Sequence, residues 1–478
     1  MPSRTVAACL LTGTLCAPII LRQTKSKRQM DKRTFLKTSS ALLAGTILAP
    51  LAGCSRTEPT AWSPRTNWAG NLTYSANSLD MPSTIEEVQE IVRKKDRVRA
   101  LGSRHSFNTV ADSTHAQLSL DALPRTVIFG ENSVTVPGGM RYGELVTHLD
   151  TREMALHNLA SLPHISVAGA LATATHGSGV TCGNLATAAI GIELVSASGE
   201  LVSLSKERDG DRFAGAIVGL GSLGVVTHVT LATERAYEMT QHVYLNVPLN
   251  AMDEHFEDIM GQGYSVSIFT DWQTQESSQI WIKRRVAMEL AEPDPVLYGA
   301  TIADRNVHPV LALSAEPCTE QMGEVGIWHA RLPHFKMEFT PSSGKELQSE
   351  FFVDRQHAPE VIGVLRDLAD QLNPLLMISE VRTIAIDDLW MSTAYGRDSV
   401  AFHFTWHQDW NALQALLPEL EAALAPFDAR PHWGKNFNTV PEVLQSRYPR
   451  IKDFQDLATE FDPEGKFRNA FTERYIFG

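Results

Sequence analysis

Cysteine is scarce, with five in 478 residues. Cys9, Cys16 and Cys54 fall in the first 54 residues, which leaves Cys182 and Cys318 for the rest. There is no C-x-x-C and no Cys/His cluster, so no zinc or iron–sulfur site is indicated and no metal is expected. Cys182 and Cys318 lie far apart in different predicted domains and read as two free buried thiols rather than a disulfide. Positive charge is also short. Residues 1–53 carry eight basic residues against one acid, a net of +7, which leaves −20 on the rest of the −13 chain. So acidic a body is repelled by nucleic acid and anionic lipid, which excludes a DNA- or RNA-binding role. No apolar run reaches the ~20 residues that a membrane span needs. A strand–G-x-G-x-x-G–helix unit is missing too: Gly219-Leu220-Gly221-Ser222-Leu223-Gly224 runs into a strand, Val225 to Ala232. A Rossmann dinucleotide fold is thereby disfavoured.

What is present is a pair of glycine- and serine-rich loops. They read L-G-S-R-H-S-F-N (Leu101 to Asn108) and A-S-L-P-H-I-S-V-A-G-A-L-A-T-A-T-H-G-S-G (Ala160 to Gly179). Each follows an extended apolar run. Bare amides there can close on the oxygens of a diphosphate where no Cβ intervenes. At this length two domains are the default. The first begins near residue 64 with a helix capped at Ser83 and Glu86, whose apolar face is Ile85, Val88, Ile91 and Val92. The strand Val98 to Leu101 and a hairpin within Ile190 to Ser205, turning at Ser198-Gly199, complete an α+β pattern. From Tyr237 a second region has longer alternating strands, Tyr264 to Phe269 and Gln279 to Lys283, then helices at Pro359 to Leu372 and Leu413 to Leu424. The expected division is 64–236, 237–435, and a return of 436–478 to the first domain.

Two strands of the second region are unusual. Ile378 to Ile386 places Glu380 and Arg382 on one face. Val400 to His407 places His403, Thr405 and His407 opposite Val400, Phe402, Phe404 and Trp406. The usual fate of such a polar face is solvation. Facing a ligand, the same groups form a polyol pocket: Glu380 accepts from hydroxyls, Arg382 and His403 donate, and Thr405 does either. Lys435 follows Trp433-Gly434 and by itself reads as a surface lysine.

Residues 30–54 have a basic start, an apolar run from Ala41 to Gly53, and Leu51-Ala52-Gly53-Cys54 at the end. This resembles a bacterial lipobox with cleavage before Cys54 and lipid on Cys54. Lys32-Arg33-Thr34-Phe35-Leu36-Lys37 resembles the twin-arginine (Tat) export motif with Lys in place of its first Arg. Residues 55–63 read as a tether. Met30 is a candidate start, because a second apolar stretch, Val6 to Leu21, precedes the motif. The expectation is an exported lipoprotein of the periplasm or cell envelope, monomeric. An apolar tail on a cytoplasmic enzyme is the alternative.

From Asn67 onward the chain resembles the alditol oxidases, a subgroup near the sugar-lactone oxidases (such as D-arabinono-1,4-lactone oxidase) within the vanillyl-alcohol-oxidase superfamily. The matching segments include the two loops, N-W-A-G-N (Asn67 to Asn71), Y-S-V-S-I-F-T-D-W (Tyr264 to Trp272), F-T-P-S-S-G-K-E-L-Q-S-E (Phe339 to Glu350), Glu380-Val381-Arg382-Thr383, H-F-T-W (His403 to Trp406) and R-P-H-W-G-K (Arg430 to Lys435). The resemblance implies a two-domain α+β flavoprotein of the PCMH type, with an FAD-binding domain and a substrate domain built on an antiparallel sheet. It implies FAD held by Leu101, Gly102, Ser103, Arg104, His105 and Ser106, and linked covalently through His105. Ser161 would sit by the flavin N5 and touch substrate. Ser166, Val167, Ala168 and Gly169, with Thr173, Thr175, His176 and Gly177, would cradle the pyrophosphate, and Val226 would contact the adenine side. Gln348, Glu380, Arg382, His403, Thr405 and Lys435 would form the polyol pocket, with Lys435, Arg382 and His403 catalytic. The implied reaction oxidises the terminal hydroxyl of an alditol such as xylitol or sorbitol to the aldose, with O2 reduced to H2O2. A sugar-1,4-lactone oxidase and a polyol dehydrogenase using another acceptor are the alternatives. One departure stands out: the family usually has glycine before the linking histidine, and here Arg104 occupies that place.

Overall fold

The computed structural model describes residues 65–286, 293–339 and 345–478. The leader, Cys54 and the 55–63 tether lie outside the described residues. The helix expected at Ser83 runs over Ile85–Lys94 and is capped one residue later, by Thr84. Thr84 accepts from the Glu87 N–H at 3.2 Å, and Glu87 Oε2 accepts from the Ser83 N–H and hydroxyl. Glu87 is the third helical residue after that cap, the place from which a carboxylate can reach back; Glu86 is not. Val88 and Val92 then face the core.

Three small strands, Ser78–Asp80, Ala116–Leu118 and Val98–Ala100, pair in parallel. Beside them, a five-stranded antiparallel sheet holds Val225–Ala232 between Ser133–Pro137 and Ala189–Val195. The hairpin from Ala189–Val195 to Leu201–Ser205 turns where expected, with Gly199 at φ +80°. Because the glycine run at 219–224 feeds the strand Val225–Ala232, it opens no helix.

The larger sheet is antiparallel along its length. Its long strands lie in the order Glu238–Leu245, Gln279–Arg285, Ser265–Thr270, Leu376–Ile384, Ser399–His407 and Glu346–Asp354. Val400, Phe402, Phe404 and Trp406 point from one face into a core shared with Val361, Ile362 and Leu365 of Ala358–Asp367, and with Leu413, Leu417, Leu420 and Leu424 of Trp410–Leu424. Burial of each large side chain there contributes roughly 1.5–3 kcal/mol. The helix expected over Pro359 to Leu372 is broken at Leu368. Near the C-terminus, Tyr448, Phe454, Leu457, Phe471 and Ile476 share one core with Val134, Val136 and Leu231 of the five-stranded sheet. Cys182 and Cys318 are free and buried, as the sequence indicated. Among the described residues no helix is long and apolar enough to cross a membrane.

Candidate active site

The two glycine-rich loops clasp each other through serine. Ser166 N donates to Ser103 Oγ at 3.0 Å, and Ser103 N donates to Ser166 Oγ at 3.3 Å. A Cβ on either Gly102 or Gly169 would come within 2.7 Å of Ser166 Oγ, so only glycine permits this approach. Arg104 adopts a left-handed conformation at φ +65°, which gives the family's glycine its physical reason. Its side chain is exposed and turns away, toward Thr66 O. The His105 ring stacks on Trp68 at 5.5 Å and its Nδ1 lies 3.1 Å from Ser103 Oγ. Burial pulls the imidazole down to about 3, so it is neutral at pH 7, and its Nε2 is buried with no hydrogen-bond partner.

A continuous cleft of about 280 Å³ starts at Gly138 and Val226 and passes Ser103, Ser166, Ala168, Gly169, Thr173 and Thr175. It continues past Leu101, Gly102, Arg104, His105, Ser106 and Ser161, and ends among Gln348, Glu380, Arg382, His403, Thr405 and Lys435. The run of lining residues from both glycine-rich loops to the polar face, the glycine approaches and the unpartnered Nε2 of His105 fit a dinucleotide cofactor. Two expected cradle residues do not reach it. Val167 is fully buried in the core, and its N–H is taken by Met140 O. Gly177 packs tightly against Asn158 and Leu159 O. A short helix, Val167–Ala172, runs through the second loop and presents only some of its positions to the cleft. His176 borders the cleft, but its Nε2 lies 3.1 Å from Glu350 Oε1, so its ring belongs to the polar network rather than to a phosphate.

The polar face of the large sheet is not solvated. Glu380, Arg382, His403, Thr405 and Gln348 are all under a tenth exposed, whereas His407, beyond the site, is exposed. Register brings them together: His403 pairs with Glu350 on one side and Glu380 on the other, and Thr405 pairs with Gln348. Arg382 binds Glu350 Oε1 at 2.7 Å, donates to Ser161 Oγ at 3.1 Å, and lies 3.5 Å from Glu380 Oε1. Burial opposes the charge on both carboxylates. His176 and Arg382 nevertheless hold Glu350 well below the carboxylate range, and Arg382 and His334 do the same for Glu380. Burial, helped by Lys435, pushes His403 down to about 3 and keeps it neutral.

Lys435 is no surface lysine. Asn108 Nδ2 donates to Trp433 O and Lys435 O at 2.9 and 2.7 Å, and Phe107 N donates to Gly434 O at 2.7 Å. The His105 loop therefore holds the Lys435 loop over the pocket. Lys435 Nζ donates to Gln348 Oε1 and lies 3.3 Å from His403 Nε2. Desolvation lowers it to about 8. Sequence reasoning missed Glu350, His334, Lys283 and His432. Glu350 shares the strand face of Gln348, two residues away, and that parity could have found it.

Residues 77–205 match the FAD binding domain family, and residues 339–475 match D-arabinono-1,4-lactone oxidase. The alditol oxidase of Streptomyces sp. (strain IKD472) is 47% identical over 420 residues, covering 86% of this chain and 99% of that protein. The L-gulono-1,4-lactone dehydrogenase of Mycobacterium tuberculosis is 28% identical over 438 residues, covering 87% of this chain and 99% of that protein. The crystal structure of cholesterol oxidase from B. sterolicum aligns with a TM-score of 0.68 at 13% identity, covering 90% of this chain and all of that one, a likeness of fold.

Proposed function

Because the chain belongs to the alditol oxidase family, we propose that it oxidises the terminal hydroxyl of an alditol to the aldehyde, with O2 leaving as H2O2. Its fold is of the vanillyl-alcohol-oxidase type and its cofactor is FAD. One observation carries the reading: a buried face of hydroxyl-binding groups lines the same cleft as the two glycine-rich loops. Bound among the residues of the two loops, a flavin would supply a two-electron acceptor for the carbinol hydrogen and a route for those electrons to O2.

The chain's own residues do the rest. Lys435 Nζ and Arg382 face the reacting oxygen and stabilise negative charge as its proton leaves. The proton goes to neutral His403 or to a water that it holds. Glu380 and Gln348 accept from the next hydroxyls, Thr405 completes the wall, and Ser161, fixed by Arg382, closes the flavin side. Low exposure of these groups excludes water and strengthens each contact. His105 is the group assigned to a covalent bond with the flavin. Its neutral ring and free Nε2 support this assignment.

Acid denaturation of the purified protein is expected to leave the yellow colour on the polypeptide, and to release it from His105→Ala. Anaerobic xylitol is expected to bleach the native flavin absorbance. Released colour would remove the covalent link. Bleaching by an aldonolactone and by no polyol would move the assignment to lactone oxidation, the reaction named in the family model that matches residues 339–475. The enzyme is further assigned to the cell envelope as a monomer, anchored by lipid on Cys54. The Leu51-Ala52-Gly53-Cys54 run supports this. Radiolabelled palmitate should enter the chain and be lost in Cys54→Ala; equal labelling of both would refute the anchor.

A further inference from the structure

Behind the polyol face lies a buried lysine that the proposed chemistry does not use. Lys283 is 1% exposed on the strand Gln279–Arg285. Ile280 and Ile282 of that strand enter the sheet's apolar core, while Trp281 and Lys283 point the other way, toward the cleft side. Lys283 Nζ meets three acceptors: Leu332 O at 2.5 Å, Pro333 O at 3.2 Å and His334 Nδ1 at 3.2 Å. Burial pulls Lys283 down to about 7, against the opposing pull of Glu380; in its ammonium form it has three N–H donors, one for each acceptor. A donor at Nδ1 forces the His334 proton onto Nε2, and Nε2 lies 2.8 Å from Glu380 Oε1. The same short segment is tied to the other wall of the pocket: His334 N and Phe335 N both donate to Ser161 O, at 3.0 and 3.2 Å. Phe269 and Trp281 pack edge-on against the His334 ring and leave it little room to turn.

We propose that Lys283 is a positioning residue for substrate selectivity, which by fixing the His334 tautomer aims the Glu380 carboxylate at the alditol hydroxyls. With the Lys283 ammonium in place, His334 can only donate to Glu380. Without it, the imidazole can carry its proton on Nδ1 and turn a lone pair toward the carboxylate. Glu380 then loses one of its two anchors and swings toward Arg382. Hydroxyl binding weakens, while at the reacting oxygen Lys435 keeps its place and Arg382 stays held by Glu350 and Ser161. The inference rests on the alditol reading for the identity of the ligand, but the Lys283–His334 link does not.

The experiment is histidine-selective 15N labelling with Lys283→Met, His334→Gln and His334→Leu. In wild type the His334 ring is expected to show an unprotonated Nδ1 and a protonated Nε2, and in Lys283→Met a mixture of tautomers. The KM for xylitol should rise about tenfold in Lys283→Met and His334→Leu, with kcat held within about threefold. His334→Gln should stay near wild type, because an amide accepts from Lys283 through Oε1 and donates to Glu380 through Nε2. An Nδ1–H tautomer in wild type, an unchanged KM in Lys283→Met, or a Gln variant as impaired as Leu would each overturn the proposal. If Lys283→Met does not fold, the His334 pair and the wild-type tautomer still decide. If no alditol reduces the wild-type flavin, the functional reading fails, and the ring shifts alone show whether Lys283 governs His334.

Discussion

Lys435→Met is expected to lower kcat/KM for xylitol by about a hundred- to a thousandfold, the usual cost of removing one donor aimed at a developing oxyanion. Methionine keeps an apolar stem of similar length, so the loss reads the charge, which sits 5.3 Å from the Phe107 ring centroid, rather than a cavity. The ammonium is held from two sides, by Gln348 Oε1 at its tip and by the Asn108 amide at its own backbone carbonyl. A pH profile separates its role from mere packing. Desolvation brings Lys435 to about 8, so wild-type kcat/KM should fall as pH rises through that value and the ammonium loses its proton. In Lys435→Met this limb should vanish. The check is anaerobic stopped-flow flavin reduction across pH. A loss under about tenfold, or ~1.4 kcal/mol, would sink the assignment.

Arg382→Leu is expected to be the most destabilising single change in the site, at about 3–5 kcal/mol, because removing one partner strands buried charge. Two carboxylates depend on it: Glu350, 1% exposed, and Glu380, 5% exposed. Lysine could not replace it, since a single ammonium cannot reach Ser161, Glu350 and Glu380 at once. The pH dependence has a definite sign. Arg382 holds both carboxylates below their unfolded values, so its contribution is present above about pH 4.3 and is lost as pH falls. Urea unfolding should therefore show the deficit of Arg382→Leu at its largest near pH 7 and narrowing toward pH 4, where protonation neutralises the stranded carboxylates. A deficit under about 1 kcal/mol at pH 7 would mean that the network adds no more than a surface pair. Flavin reduction by alditol should also fail, because Ser161 and Glu380 lose their shared anchor.

The two glycine loops, the hairpin at Gly199 and the strand Val225–Ala232 were legible because their signals are local. Turn chemistry and alternation over a few residues specify them before any long-range contact forms. The cleft-facing set from Leu101 to Ser106 was legible for the same reason. Local patterns were also where the reading failed. Val167 and Gly177 sit inside a motif that looks continuous as text, yet a helix turns successive residues about 100° apart, so Val167 went to the core. The Arg104 side chain turns to solvent, the orientation the sequence reading favoured. Its exposure follows from the left-handed backbone there and from the stacked Trp68–His105 pair beside it.

The sequence by itself determined several of the strands, the polar faces of Ile378 to Ile386 and Val400 to His407, and that His105, Glu380 and Arg382 were worth singling out. Only the tertiary structure decided that the polar face is buried rather than wet, and which charges compensate one another. Glu350, Glu380 and His403 lie on three different strands and become neighbours through antiparallel register. Lys283, on an interior strand of the large sheet, meets His334, on a loop, although fifty residues of chain separate them. Electrostatic partners depend on distance in space and on exclusion of water. Neither is encoded by adjacency along the chain, so both appeared only once the sheet was paired and the loops were closed over it.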